Sequence, residues 1–314
     1  MRQALLISFG GGALCAVLYL SVLLGGPGAI LLSYFSQLPL YLVGLALGTV
    51  PVLTAAAAAT LFIALAGGLL GAGLFALLSG VPAVLVVRQA LLSRTDADGR
   101  AQWYPTGRLA ALLAVLASTV FVLAALAFSG EAGFEANIGG FIDRFLNEFR
   151  GLREDGAQTT AVAQLIAAYF PGGAMVSWLL MVAVNAMLAQ ALLVRFKRNR
   201  RPTPAYSAFR VPDWAVYALI AAGMLTIFGR GGPVGYVAAN LIPLWGALYL
   251  LGGLAVLHAV SRDWPGRPLI VGFVYMLLLF FGWPAVVIAG LGLVDQWAHL
   301  RRRYAPQGQG EEDA

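Results

Sequence analysis

From Leu38 to Val87 the chain runs for fifty residues without one Asp, Glu, Lys or Arg. Such a segment has no charged side to turn toward water. At about 20 residues per crossing it is long enough to pass a bilayer two or three times. Composition extends the argument to the whole chain. Of 314 residues, 60% are hydrophobic and 11% charged, with a mean hydropathy of +0.83, against about 25% charged in a typical soluble domain. Too few polar groups exist to coat a water-soluble fold, so lipid is the expected solvent. The expected fold class is all-α: a polytopic transmembrane helical bundle of about eight to ten spans, with one amphipathic extramembrane helix.

The apolar runs place the spans. Ala4 to Leu24 reads as the first, because it is long enough to cross and lacks a clear small-x-small cleavage site. Gly25-Gly26-Pro27-Gly28 ends it, and Ala29 to Ser36 reads as an interfacial or re-entrant piece. Further spans are expected at Pro39–Val50, Pro51–Ala66, Gly68–Val87, Leu109–Phe128, Leu165–Val194, Trp214–Phe228 and Val234–Val260. Pro268–Ala298, interrupted at Gly282-Trp283-Pro284, reads as a hairpin of two. Between Glu131 and Thr160, Ile138, Phe141, Ile142, Phe145, Leu146, Phe149 and Leu152 recur at helical spacing among acidic residues. This is the signature of an amphipathic helix on the membrane surface or capping the bundle. The expected organisation is an N-terminal membrane bundle over 1–128 and an extracytoplasmic amphipathic segment over 129–164. A C-terminal bundle over 165–304 and a disordered tail over 305–314 follow.

Charge orients the layout. Of the twenty basic residues all but Lys197 are Arg, and they gather at the ends of apolar runs rather than in a nucleic-acid footprint. With ten spans and a cytoplasmic N-terminus, sixteen of the twenty fall on the cytoplasmic side, as the positive-inside rule requires. That implies a multi-pass protein of a bacterial inner membrane with both termini cytoplasmic. Eight spans give the same orientation. The Arg195–Arg201 cluster reads as a topology anchor that also attracts anionic lipid.

Reactive motifs are missing. The only lysine lies outside any Gly-x-x-x-x-Gly-Lys-Ser/Thr pattern, so ATP-driven work needs a partner subunit. No serine follows a Gly two positions earlier, and neither His258 nor His299 opens a His-Glu-x-x-His motif. Both histidines sit at expected lipid–water boundaries. Cys15, the single cysteine, reads as a packing residue. No catalytic residue, metal ligand or cofactor is expected. Asp295 is the ionisable group closest to membrane depth, and is expected to pair with Arg302 or Arg303 or to cap a vestibule.

Neutral polar residues are better placed for binding. Tyr34, Gln37 and Tyr41 flank the break before Pro39; Asn185 and Gln190 lie in the sixth span; Asn240 lies three residues before Pro243, with Tyr236 and Trp245 nearby. A proline exposes the carbonyl four residues earlier, here Ala239, and a carbonyl beside an amide makes a polar spot at membrane depth. Tyr34, Gln37, Asn185, Tyr236 and Asn240 are therefore the candidate ligand residues; the competing reading makes the amides interhelical hydrogen-bond glue. Ser8, Gly12 and Ala16, four apart on the first span, form a small-residue stripe suited to internal packing or to docking a partner.

Three stretches carry a family resemblance: Ser36-Gln-Leu-Pro39-Leu, Arg201-Pro202-Thr-Pro204, and Gly292-Leu-Val-Asp295-Gln-Trp297 running into Arg301-Arg-Arg303. In this order they resemble the YybS-like family of bacterial multi-span membrane proteins, a domain of unknown function. Its membrane domain is viewed as similar to the substrate-binding S component of energy-coupling-factor transporters. The resemblance implies a ligand-binding bundle without its own ATPase, docking on an energising module through small residues of the first helix. This chain departs in its greater number of spans and its amphipathic segment, so no binding residue is carried over. The expected function is a small-molecule transport component of the inner membrane, its partners being lipid and an energising ATPase or other membrane proteins. The alternative is a non-catalytic scaffold in envelope biogenesis or division. A lipid-modifying membrane enzyme is least favoured.

Overall fold

A computed structural model describes residues 2–130, 133–150, 158–205 and 209–303. The protein is almost wholly helical. Its helices are α1 (Arg2–Leu20), α2 (Gly26–Tyr34), α3 (Leu38–Leu47), α4 (Thr49–Phe75), α5 (Val81–Ala90), α6 (Thr106–Ala127), α7 (Phe134–Arg150), α8 (Gln158–Arg195), α9 (Ala215–Phe228), α10 (Pro233–Val260), α11 (Arg267–Phe280), α12 (Trp283–Ala298) and α13 (Leu300–Arg303). One small antiparallel ribbon, β1 (Ser93–Thr95) with β2 (Ala101–Trp103), interrupts them. Among the described residues six helical stretches are long and apolar enough to cross a membrane: Arg2–Leu24, Gly26–Leu47, Thr49–Ala90, Thr106–Ala127, Gln164–Arg195 and Pro233–Val260. Ala215–Phe228 and Arg267–Phe280 are shorter apolar helices.

Glycine and proline set the breaks. At Gly48 φ is +112°, a conformation few L-residues adopt, and it separates α3 from α4. The expected boundary between Val50 and Pro51 thus lies at Gly48, and Pro51 sits inside the first turn of α4. Thr49–Ala90 is too long for one straight crossing, and it is bent at Gly68, where φ is +86°. A Cβ built on Gly80 would lie 3.7 Å from the Ala56 side chain. The chain therefore doubles back at Gly68 as a helical hairpin, where the sequence places a boundary between spans. A π-helical segment, Ala76–Gly80, joins α4 to α5.

The chain forms two compact units, Met1–Leu109 with Trp178–Ala205, and Ala110–Ser177 with Tyr206–Ala314. The units interleave along the chain, with cuts near the start of α6 and within α8.

In the first unit α1 packs along α4. Ser8, Gly12, Cys15 and Ala16 are buried there, and a Cβ on Gly12 would come within 2.5 Å of the Ala55 carbonyl. The small-residue stripe is thus taken up by α4 and is not a free docking face while α1 stays in place. Cys15 is a packing residue. The opposite side of α1 bares Leu6, 72% exposed, and Val17, 67% exposed.

In the second unit α10 is the central helix, packing against α9 and α12. At the α10–α12 crossing, a side chain on Gly253 would strike the Ile288 carbonyl, and one on Gly292 the Tyr249 carbonyl. This is the close small-residue approach that lets helices bind without a hydrophobic driving force. The amphipathic helix α7 docks through Phe134 and Ile142, which are buried. Phe134 lies edge-on to Phe121 and to Tyr236. Phe141 and Phe145 stay exposed, although Phe141 touches Phe170. Leu152, Glu131, Glu154 and Asp155 lie outside the described residues, as does the expected tail over 305–314.

Candidate functional site

The first unit gathers its buried polar groups around two helix irregularities. Proline has no N–H to give and its ring crowds the carbonyl four residues back. Pro39 therefore stops the chain from running helically through Phe35, whose carbonyl instead accepts from the Leu38 N–H at 3.0 Å. The Tyr34 carbonyl, at the end of α2, accepts from the Asn185 side-chain amide at 2.9 Å. Pro82 has the same effect on Leu78, at the π segment. There the Trp178 indole N–H donates to the Leu78 carbonyl at 2.7 Å. The two irregularities meet through Gln37, whose amide nitrogen lies 3.3 Å from the Ser79 hydroxyl.

Not all of this polarity is matched. Asn185 spends its two N–H groups on the Tyr34 and Met181 carbonyls, which fixes its amide orientation and leaves Oδ1 an acceptor. Among the described residues Asn185 Oδ1, Gln37 Oε1 and the Tyr41 hydroxyl are buried without a hydrogen-bond partner. All three residues are 0% exposed. Unmet buried polar atoms cost about 1–3 kcal/mol each, and such groups call for an explanation.

Tyr236 and Asn240 belong to the second unit and have a different occupation. Pro171 within α8 releases the Ala167 carbonyl, and the Tyr236 hydroxyl donates to it at 2.9 Å. One turn along α10, the Asn240 amide enters the ladder of α8. Its oxygen accepts from the Gly172 N–H at 2.8 Å, and its nitrogen donates to the Ala168 carbonyl at 2.9 Å. The second N–H goes to the Tyr236 carbonyl at 3.0 Å. A Cβ on Gly172 would meet the Pro243 ring at 2.7 Å, so glycine lets the helices approach this closely. Tyr236 and Asn240 thus suture a proline-broken helix, with both Asn240 N–H groups spent. The candidate residues divide accordingly: Tyr34, Gln37 and Asn185 come together in one unit, and Tyr236 and Asn240 in the other.

The basic segment also holds structure. Arg201 is 7% exposed, and its guanidinium donates to the Ala90 and Tyr104 carbonyls at 3.1 and 2.9 Å over the ring of Trp103. Trp103 and Tyr104 are presented by the β1–β2 ribbon. Asp96 closes its turn by accepting from the Asp98 and Arg100 N–H groups, and Gly99 takes φ of +77°. Gln190 donates to the Arg201 carbonyl at 2.8 Å, and Arg200 to the Leu47 carbonyl at 3.1 Å. In the second unit Asp295 pairs with Arg301 at 2.6 Å; the side chains of Arg302 and Arg303, its expected partners, lie outside the described ones. The His299 turn, at φ of +48°, brings Arg301 back over Asp295. Arg301 also donates to the Phe209 carbonyl at 2.7 Å. His258 approaches the Tyr275 hydroxyl at 3.1 Å, its own side chain half-buried.

Ser79, Trp178 and the π segment are the site elements that sequence reasoning missed. Their signal was Pro82 with Leu78 four residues before it. The ribbon also had a signal in Asp98-Gly99, a dipeptide that favours hairpins, here the end of a three-residue loop over 97–99, closed by the Gly99 N–H on the Asp96 carbonyl.

Apolar side chains face outward all along the long helices. Leu65, Leu69, Leu70 and Leu269 are 79–84% exposed, as is Phe228. Water would not tolerate such a surface, and outside the amphipathic α7 the charges of the described residues gather toward helix ends and connections. These features define a polytopic helical membrane protein. The chain belongs to the family described as Predicted membrane protein (DUF2232), which it matches over residues 13–296. No curated protein and no solved structure matches it.

Proposed function

We propose that the protein is a small-molecule transport component of a bacterial inner membrane that depends on a partner subunit for energy and does no catalysis of its own. The observation that carries this reading is the polar cluster of the first unit. Asn185 on α8 reaches the Tyr34 carbonyl at the end of α2, and Gln37 and Tyr41 follow within two turns across the break, so three buried polar groups with unpartnered atoms sit in an otherwise apolar bundle. Irregular backbone at membrane depth is tolerated where it is buried in protein or lines a cavity, and broken helices are where transporters bind their cargo. The missing phosphate-binding loop assigns energy supply to another chain. This is also the role implied by the likeness to YybS-like proteins and energy-coupling-factor S components.

Ten crossings with both termini in the cytoplasm complete the reading. Within the first unit, Arg200 and Arg201 reach the carbonyls of Leu47, Ala90 and Tyr104, so connections assigned to the cytoplasm gather at one end. Reporter fusions after Arg94 and Arg198 are expected to read cytoplasmic, and one after Gly231 periplasmic.

Purification in mild detergent followed by mass spectrometry tests the function. A co-purifying small molecule or energising ATPase is the expected result. Recovery of envelope or division proteins without either would replace transport by the scaffold reading.

A further inference from the structure

We infer that the cluster at the break between α2 and α3 binds a dehydrated monovalent cation, the ion that would accompany cargo if the transport reading holds. This step rests on that reading for its purpose, but its chemistry is independent of it. Two of the spare atoms are acceptors only, and the third, the Tyr41 hydroxyl, offers lone pairs as well as its O–H. Asn185 Oδ1 is fixed as one because both its N–H groups are used on carbonyls. Gln37 presents Oε1 while its nitrogen faces Ser79, and Tyr41 adds a hydroxyl oxygen. The carbonyl end of α2, the negative end of its dipole, terminates at Tyr34, whose carbonyl accepts from the Asn185 amide. No basic side chain competes, since Leu38–Val87 is free of charge and so is α8 from Trp178 to Val194.

The ligand chemistry follows. A surplus of oxygen acceptors calls for a positive charge or a strong donor. Divalent ions are bound mainly through carboxylates, and the cluster has none, so neutral oxygens favour a single charge. Size narrows it further: the three atoms expose no surface, and a bare alkali ion demands less repacking than an organic molecule.

The test is thermal unfolding of the detergent-solubilised full chain in sodium, potassium or choline chloride at equal ionic strength. Saturable stabilisation by sodium or potassium and none by choline is expected. Tyr41→Phe, which removes one oxygen and little volume, should raise the half-saturating concentration several-fold. Asn185→Asp should lower it by about tenfold or more, because it adds a charge in a low-dielectric site. Equal stabilisation by all three salts, or an alkali response unchanged in both variants, would overturn the inference. A co-purified cargo without an alkali response would overturn the cation and leave transport standing; an alkali response without cargo or ATPase would do the reverse.

Discussion

If Tyr236 exists to satisfy the carbonyl that Pro171 releases, its hydroxyl should become dispensable when that proline is removed. Tyr236→Phe deletes one hydrogen bond of 2.9 Å and keeps the ring against Phe134. An interhelical bond in a membrane protein averages about 0.6 kcal/mol and reaches about 1.7. Stranding the Ala167 carbonyl adds part of a desolvation penalty of about 1–3 kcal/mol. The expected loss is about 1–2 kcal/mol. Pro171→Ala restores an N–H at position 171, four residues after Ala167, so α8 can close its own bond. In that background Tyr236→Phe should cost close to nothing, giving a coupling energy of about 1 kcal/mol. Reversible unfolding in mixed micelles, run as a double-mutant cycle, measures it. Strict additivity, within about 0.4 kcal/mol, would refute the pairing of hydroxyl with proline.

Other substitutions test the rest of the framework. Arg201→Lys should lower stability by about 2 kcal/mol, because an ammonium cannot span the Ala90 and Tyr104 carbonyls as the fork does; the same unfolding assay reads it. Asp295→Asn should cost about 3 kcal/mol by leaving Arg301 without its carboxylate in a site where the pair is 11% and 6% exposed. Protease sensitivity of the chain around Phe209 should rise with it. Gly253→Ala should force α10 from α12 and sharply reduce folded yield, whereas Gly290→Ala, with nothing within 4 Å of its Cβ, should be neutral.

The membrane class, the breaks near Pro39 and Gly68 and the amphipathic helix were legible because each follows from local composition or from a residue with a restricted backbone. What was not legible depends on pairing. Asn185 and Asn240 look alike in sequence: amides in apolar helices. Only the neighbouring helix distinguishes them. Asn240 meets a segment opened by Pro171 and is consumed by it, while Asn185 meets the end of α2 and keeps a free oxygen. The Asp295–Arg301 pair depends on the left-handed turn at His299, which folds Arg301 back over the carboxylate and which residue spacing alone does not reveal.

Proline organises this protein less as a helix breaker than as a supplier of acceptors. Each proline inside an apolar helix releases a carbonyl that lipid cannot satisfy. At Pro82 and Pro171 the released oxygen is met by a side chain from another helix, Trp178 for Leu78 and Tyr236 for Ala167. In an apolar medium those donors have few other places to go, so each proline pins one helix to a particular register of its neighbour. At Pro39 the backbone recaptures the Phe35 carbonyl itself. No donor from another helix is needed there, and the polar groups that gather at that break, Gln37, Tyr41 and Asn185, retain unspent capacity. The same rule that makes Pro82 and Pro171 structural thus leaves the break at Pro39 with polar atoms that a ligand can bind.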